Sequence, residues 1–161
     1  MTTFTVWKFD DADGAERAAG MLRDAQAKGL VKIDDRMIVS WPAGASQPTI
    51  KHGHEETWRG TAWGSVWGIV IGTLFFVPVV GGLAGAAIGA LAKATERAGI
   101  SKEQLESIRS EITEGTSALF LVTEQGKLDP LGDRVRMHST LLDSNLTKDE
   151  ERVLLETFGG A

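Results

Sequence analysis

The densest group of side chains able to do chemistry is His52, His54, Glu55 and Glu56, in the stretch KHGHEE. Alternate residues of a strand point to one face, so His52 and His54 are the metal-ligand candidates if a strand runs that far. A structural site needs two further ligands, and His138 is the one remaining histidine. The other reading is a solvated strand end, and transition-metal sites usually carry a fuller ligand set. No metal or cofactor is therefore expected. The glycines of GGLAG (81–85) lack the lysine and hydroxyl of a phosphate loop. DDADG (Asp10 to Gly14) has Met21 where a calcium loop needs its glutamate, and reads as a helix start. No Ser-His-Asp or paired-carboxylate spacing stands out, and Glu103, Glu106 and Arg109 read as a solvated helix face. The expectation is a protein that is not an enzyme.

Bulk properties narrow the surroundings. A net charge of −5 argues against nucleic acid as a partner and against attraction to an anionic surface. With no cysteine, disulfides, thiolate metal sites and thiol catalysis are excluded. The opening MTTFTVWKFDD lacks a basic stretch followed by an apolar run, so no secretory signal is expected. The 161 residues are enough for one domain, or for one domain carrying an insertion.

The elements that would position any site follow from periodicity. TFTVWKF (Thr3 to Phe9) is a strand by alternation and β-former content. Asp10, Asp11 and Asp13 then offer helix-capping carboxylates, with Ala15, Ala18, Ala19, Leu22 and Ala25 at helical spacing and Gly29 as the stop. RMIVSW (Arg36 to Trp41) is a second strand, PAGASQP a turn, and TIKHGH a short returning strand. Ser101 and Gln104 form a capping box ahead of Leu105, Ile108 and Ile112, Gly115 ends that helix, and SALFLVT (Ser117 to Thr123) is a strongly apolar strand. The fold class is α+β: a ferredoxin-like βαββαβ core, interrupted by a helical insertion. A C-terminal αβα extension follows, with a short helix from Asp129-Pro130, the strand STLLDSNL, and a last helix opened by the capping box at Thr147 and Glu150. The division is residues 1–58 and 98–161 as the α/β domain and 59–97 as the insertion.

The insertion is unlike its flanks. From Gly60 to Ala92 no residue is charged. Gly60, Gly64, Gly68 and Gly72 recur every four residues before Pro78, and Gly81, Gly85 and Gly89 recur after it. Such spacing keeps each set near one helix face. Glycine costs about 1 kcal/mol against alanine inside a helix, and close helix approach is the usual compensation. A single rod over this run would be about 50 Å long against a hydrocarbon core of roughly 30 Å, and Pro78 with Gly81-Gly82 breaks it. A single crossing would also separate strands that should share a sheet. The expected form is a helical hairpin, whether it spans a bilayer, re-enters it, or is buried in a water-soluble oligomer. Trp58, Trp63 and Trp67 gather at its start, where apolar meets wet, bracketed by Arg59 and Lys93. The alternative is that the tryptophans pack on neighbouring subunits.

The run TAWGSVWGIVIGTLFFVPVVGGLAGAAIGALA, then GISKEQLESIRSEITEGTSALFLVTE and STLLDSNLTKDEERVLLETFGG, resembles the DUF1269 family of bacterial proteins over nearly the whole chain. The glycine-patterned GIVIGTLFFVPVVGGLAGAAIGAL and the strand GTSALF carry the likeness most specifically. The family is often described as predicted membrane proteins of unknown function. The resemblance implies the insertion-bearing α/β architecture and brings no catalytic residues.

These readings converge on a membrane-associated homo-oligomer with a cytoplasmic α/β head. Its helix contacts would be Gly64, Gly68, Gly72, Gly81, Gly85 and Gly89, with Trp63 and Trp67 at the interface. Its partners would be other copies of itself and the lipid bilayer. The alternative is a soluble cytoplasmic assembly, a scaffold, shell or small-ligand binder with its apolar helices turned inward.

Overall fold

In a computed structural model, the described residues are 2–29, 32–52, 63–76, 83–124 and 139–158. The alternating segments form β1 (Thr2–Phe9), β2 (Lys32–Ser40), β3 (Thr49–His52), β4 (Ser117–Glu124) and β5 (Ser139–Leu146). They build one sheet in the order β3-β2-β4-β1-β5, every neighbouring pair antiparallel. The short returning strand β3 thus sits at an edge, paired only with β2, and β4 takes the place beside β1. The tail strand β5 flanks β1 on its other side. β1 and β2 consequently run parallel with β4 between them.

Helices cover both faces. Helix α1 (Gly14–Ala27) lays Ala15, Ala18, Ala19, Leu22 and Ala25 over Phe9, Ile38, Leu119 and Leu121. Its small side chains let the backbone come close to the sheet. Gly14 is required there, since a Cβ would fall 2.5 Å from Phe9 Cβ. Asp13 occupies the N-cap position but in helical rather than extended conformation, and its side chain makes no cap. The cap arrives from β4 instead: Ser117 Oγ accepts from the Ala15 N–H at 2.9 Å and donates to the Asp11 carbonyl at 2.7 Å. Asp11 pairs with Arg17 at 2.6 Å.

On the other face lie α2 (Trp63–Ile71) with a π-helical turn (Gly72–Phe76), α3 (Leu83–Thr95), α4 (Lys102–Glu111) and α5 (Lys148–Thr157). Both capping boxes form, Ser101 with Gln104 and Thr147 with Glu150. Residues of α2 and α3 share one core cluster with Phe4, Met37 and Phe120 of the sheet and Leu105 and Leu154 of α4 and α5. Because helices lie on both sides, β4 is buried along its length, Ala118, Phe120 and Val122 to one layer and Leu119 and Leu121 to the other. The break at Pro78 and Gly81-Gly82, the entrance residues Trp58 and Arg59, and the helix expected from Asp129-Pro130 lie outside the described residues.

Aromatic packing locks α2 to the sheet. Phe4 meets Trp67 with ring centroids 4.7 Å apart and Trp63 at 5.0 Å, and Trp67 meets Phe120 at 5.3 Å, all edge to face. Such pairs contribute about 0.5–1.5 kcal/mol each beyond area burial. Trp67→Ala should therefore destabilise the chain by about 3–5 kcal/mol in urea unfolding. An unchanged unfolding midpoint would mean that α2 does not rest on this sheet.

Candidate functional site

Helix α2 has two unlike faces. Trp63, Val66, Trp67, Val70 and Ile71 point into the core, with Leu74 of the following turn. Outward stand Gly68 and Ile69, and then Gly72 and Phe76 of the π-helical turn. Ile69 is 42% exposed and Phe76 41%, two of the three large apolar side chains that the described residues leave exposed. Helix α3 repeats the division, with Ile88 and Leu91 inward and Ala86 and Ala90 exposed. Thr95 Oγ1 donates to the Leu91 carbonyl at 3.0 Å at the helix end, and Gly99 turns the chain at φ 76°. Ser144 of β5 donates to the Ala98 carbonyl, holding that turn to the sheet.

The expected contact residues separate on this frame. Trp63 and Trp67 are buried within the chain's own core, 5% and 1% exposed. Gly68, Gly72 and Gly89 do not bring α2 and α3 of one chain together: a Cβ added at each would meet nothing within 4 Å. Among the described residues nothing uses the space these glycines leave open. Gly64 lies in α2 and Gly85 in α3, while Gly81 is outside the described residues. Of the metal candidates, His52 ends β3 opposite Met37, and His54 and His138 are outside the described residues. Among the described residues no group of three or more His, Asp or Glu side chains could hold a metal ion. Beneath α2 an apolar cavity of about 10 Å³, lined by residues including Phe4, Trp67, Leu105 and Leu154, is the size of one water.

A group absent from the sequence reading gathers at one end of the sheet. β2 begins at Lys32, ahead of the expected Arg36, and carries Asp34 and Asp35 into the strand. Asp35 is 5% exposed; its Oδ1 accepts from the Arg36 N–H at 2.8 Å, and its Oδ2 is buried without a hydrogen-bond partner among the described residues. Burial pushes its carboxyl up to about 6. Asp34 is also pushed up to about 6, by burial first and then by the Glu124 charge, against the pull of Lys32. Glu124 is held below its ordinary value by the Lys32 ammonium, 3.2 Å from its Oε2. The available signal was IDDRMIVS itself, two adjacent acids running directly into an apolar strand.

A family model described as "Protein of unknown function (DUF1269)" matches residues 61–159, and the chain belongs to that family. The match begins just ahead of α2, so β1, α1, β2 and β3 lie outside it. No curated protein and no solved structure matches the chain. Among the described residues no helix is long and apolar enough to cross a membrane.

Room around the glycines has a measurable consequence. Gly68→Ala and Gly89→Ala should each raise the stability of the chain in dilute solution by up to about 1 kcal/mol, through helix propensity and a less free unfolded state. Denaturation at low protein concentration measures it, and a clear loss of stability would show that these positions are already filled.

Proposed function

We propose that this DUF1269 chain is a non-enzymatic, self-assembling protein whose outward glycine face packs against copies of itself. The observation that carries this is the open space at Gly68, Gly72 and Gly89 on helices that expose Ile69 and Phe76. Each helical glycine costs about 1 kcal/mol against alanine. Nothing among the described residues exploits the missing Cβ, and close approach of another helix backbone is what such a surface suits. Uncharged side chains from Gly60 to Ala92 remove the repulsion that would keep two copies of this face apart.

The finer fold reading belongs to the same proposal. From the sequence, β3 is the third core strand and β4 the fourth, with β5 in the extension; the sheet order β5-β1-β4-β2 instead suits a ferredoxin-like sheet with β4 third and β5 fourth, β3 being an added edge strand. The helix expected to be its second one, α4, lies across the sheet from α1. The glycine-patterned helices would then be a layer on the face away from α1.

A second reading places this face against lipid, with the sheet as a cytoplasmic head. The uncharged run and the exposed Ile69 and Phe76 favour it. The contact would be a helix lying at the bilayer surface, since α2 and its π turn span only Trp63–Phe76. In the first reading the protein is a soluble scaffold, shell or small-ligand assembly.

Gly68→Leu decides whether the face is a contact. The wild-type chain should sediment as a particle of defined multi-subunit mass, and the variant should shift toward monomer with an unchanged circular dichroism spectrum. A variant of unchanged mass would overturn the proposal. Retention in membranes after high-salt and alkaline washing would assign the face to lipid, and recovery without detergent to protein.

A further inference from the structure

β2 changes register at one place. Ile33 pairs with Thr123 and Asp35 with Val122, so Asp34 has no opposite residue on β4 and the strand bulges. Bulges re-aim side chains and locally disrupt a ladder. This one sets two carboxyls in succession where β2 begins and β4 ends. The charged groups around them come from four elements. On β2 itself are Lys32 and Arg36; β4 brings Glu124; α5 brings Glu151, which acts on Asp34, and Lys148, which acts on Glu124. From α1, Arg23 acts on Arg36.

Neither nearby cation satisfies the pair. Lys32 is engaged by Glu124 at 3.2 Å. Arg36 sends its Nη1 to the Ala19 carbonyl at 3.2 Å on the α1 side. Its backbone N–H reaches Asp35 Oδ1, which leaves Oδ2 buried and unpartnered among the described residues. An ionised carboxylate so placed is unfavourable, and a proton removes the penalty at once. Glu151 is fixed on the other flank by Thr2 Oγ1 at 2.9 Å, so β1, β2, β4 and α5 all meet at this corner.

We infer that the Asp34–Asp35 bulge is a proton-operated latch, closing the corner between β2, β4 and α5 when protonated and loosening it when the protons leave. The direction follows from linkage. Both carboxyls lie near 6 in the folded chain against an ordinary 3.8. Between those values the folded chain holds more protons than the unfolded one, so the stabilisation is complete below about pH 4 and is lost as pH rises through 6. This is opposite to the usual behaviour of an ion-paired carboxylate. The inference does not depend on self-assembly.

The test is a carbon NMR titration of the aspartate carboxyls in the full chain, assigned with Asp34→Asn and Asp35→Asn, together with amide hydrogen exchange. Two carboxyls should titrate near pH 6. Opening of the first β2 amides should increase about threefold or more from pH 5.5 to 7.5 after correction for intrinsic exchange. Both asparagine variants should flatten that dependence. Carboxyls titrating near pH 4, or opening indifferent to pH in the wild-type chain, would overturn the latch. These wild-type measurements decide the matter even if a variant fails to fold.

Discussion

Phe4, Trp63, Trp67 and Phe120 meet edge to face at the centre of the larger core, and that contact fixes which way α2 can face. Rotating α2 would withdraw two indoles from a fully buried site, each among the largest apolar surfaces in the chain. With the tryptophans held inward, residues on the opposite side of the helix must point out, and those are Gly68 and Ile69, continued by Gly72 and Phe76. The outward apolar face is thus a consequence of the inward one. Trp67 even keeps a buried Nε1–H that no described residue accepts, a penalty of about 1–3 kcal/mol that the packing must exceed.

The same contact makes the insertion part of the fold. Trp67 rests on Phe4 of β1 and Phe120 of β4, so the sheet and the glycine-patterned helices complete one another's core. Across the sheet, Ser117 joins β4 to the start of α1 with two hydrogen bonds from one buried hydroxyl. β4 is the strand on which both layers depend, and its unbroken apolar sequence is what burial on both faces requires.

What could be read from the sequence was local. Each capping box, Ser101 with Gln104 and Thr147 with Glu150, closes between residues three apart, so the sequence carries it whole. The alternation of β1, the run of β4 and the alanine face of α1 were equally legible. The start of β2 was not, because aspartate is a poor strand former and the strand is held there by pairing with β4, far away in sequence. Asp13 stood where a cap was expected, yet the cap came from Ser117. The tryptophans read as interfacial because hydropathy records that a ring seeks cover without saying whether lipid, another copy or the chain's own sheet supplies it. The four-residue spacing of the glycines could not give what lies opposite them, and among the described residues nothing approaches Gly68, Gly72 or Gly89 within 4 Å.

The extent of the family match sharpens this point. It takes in α2 through α5 with β4 and β5, but not β1 or β2. Yet Phe4, Val6, Met37 and Val39, all outside the match, form the bed on which α2 lies. The matched region alone therefore lacks part of the cover of this aromatic helix face. In this chain the first strands supply that cover, which spends the large side chains of α2 on internal packing. What α2 and its π-helical turn then present outward is Gly68 and Gly72 with two exposed apolar side chains, Ile69 and Phe76.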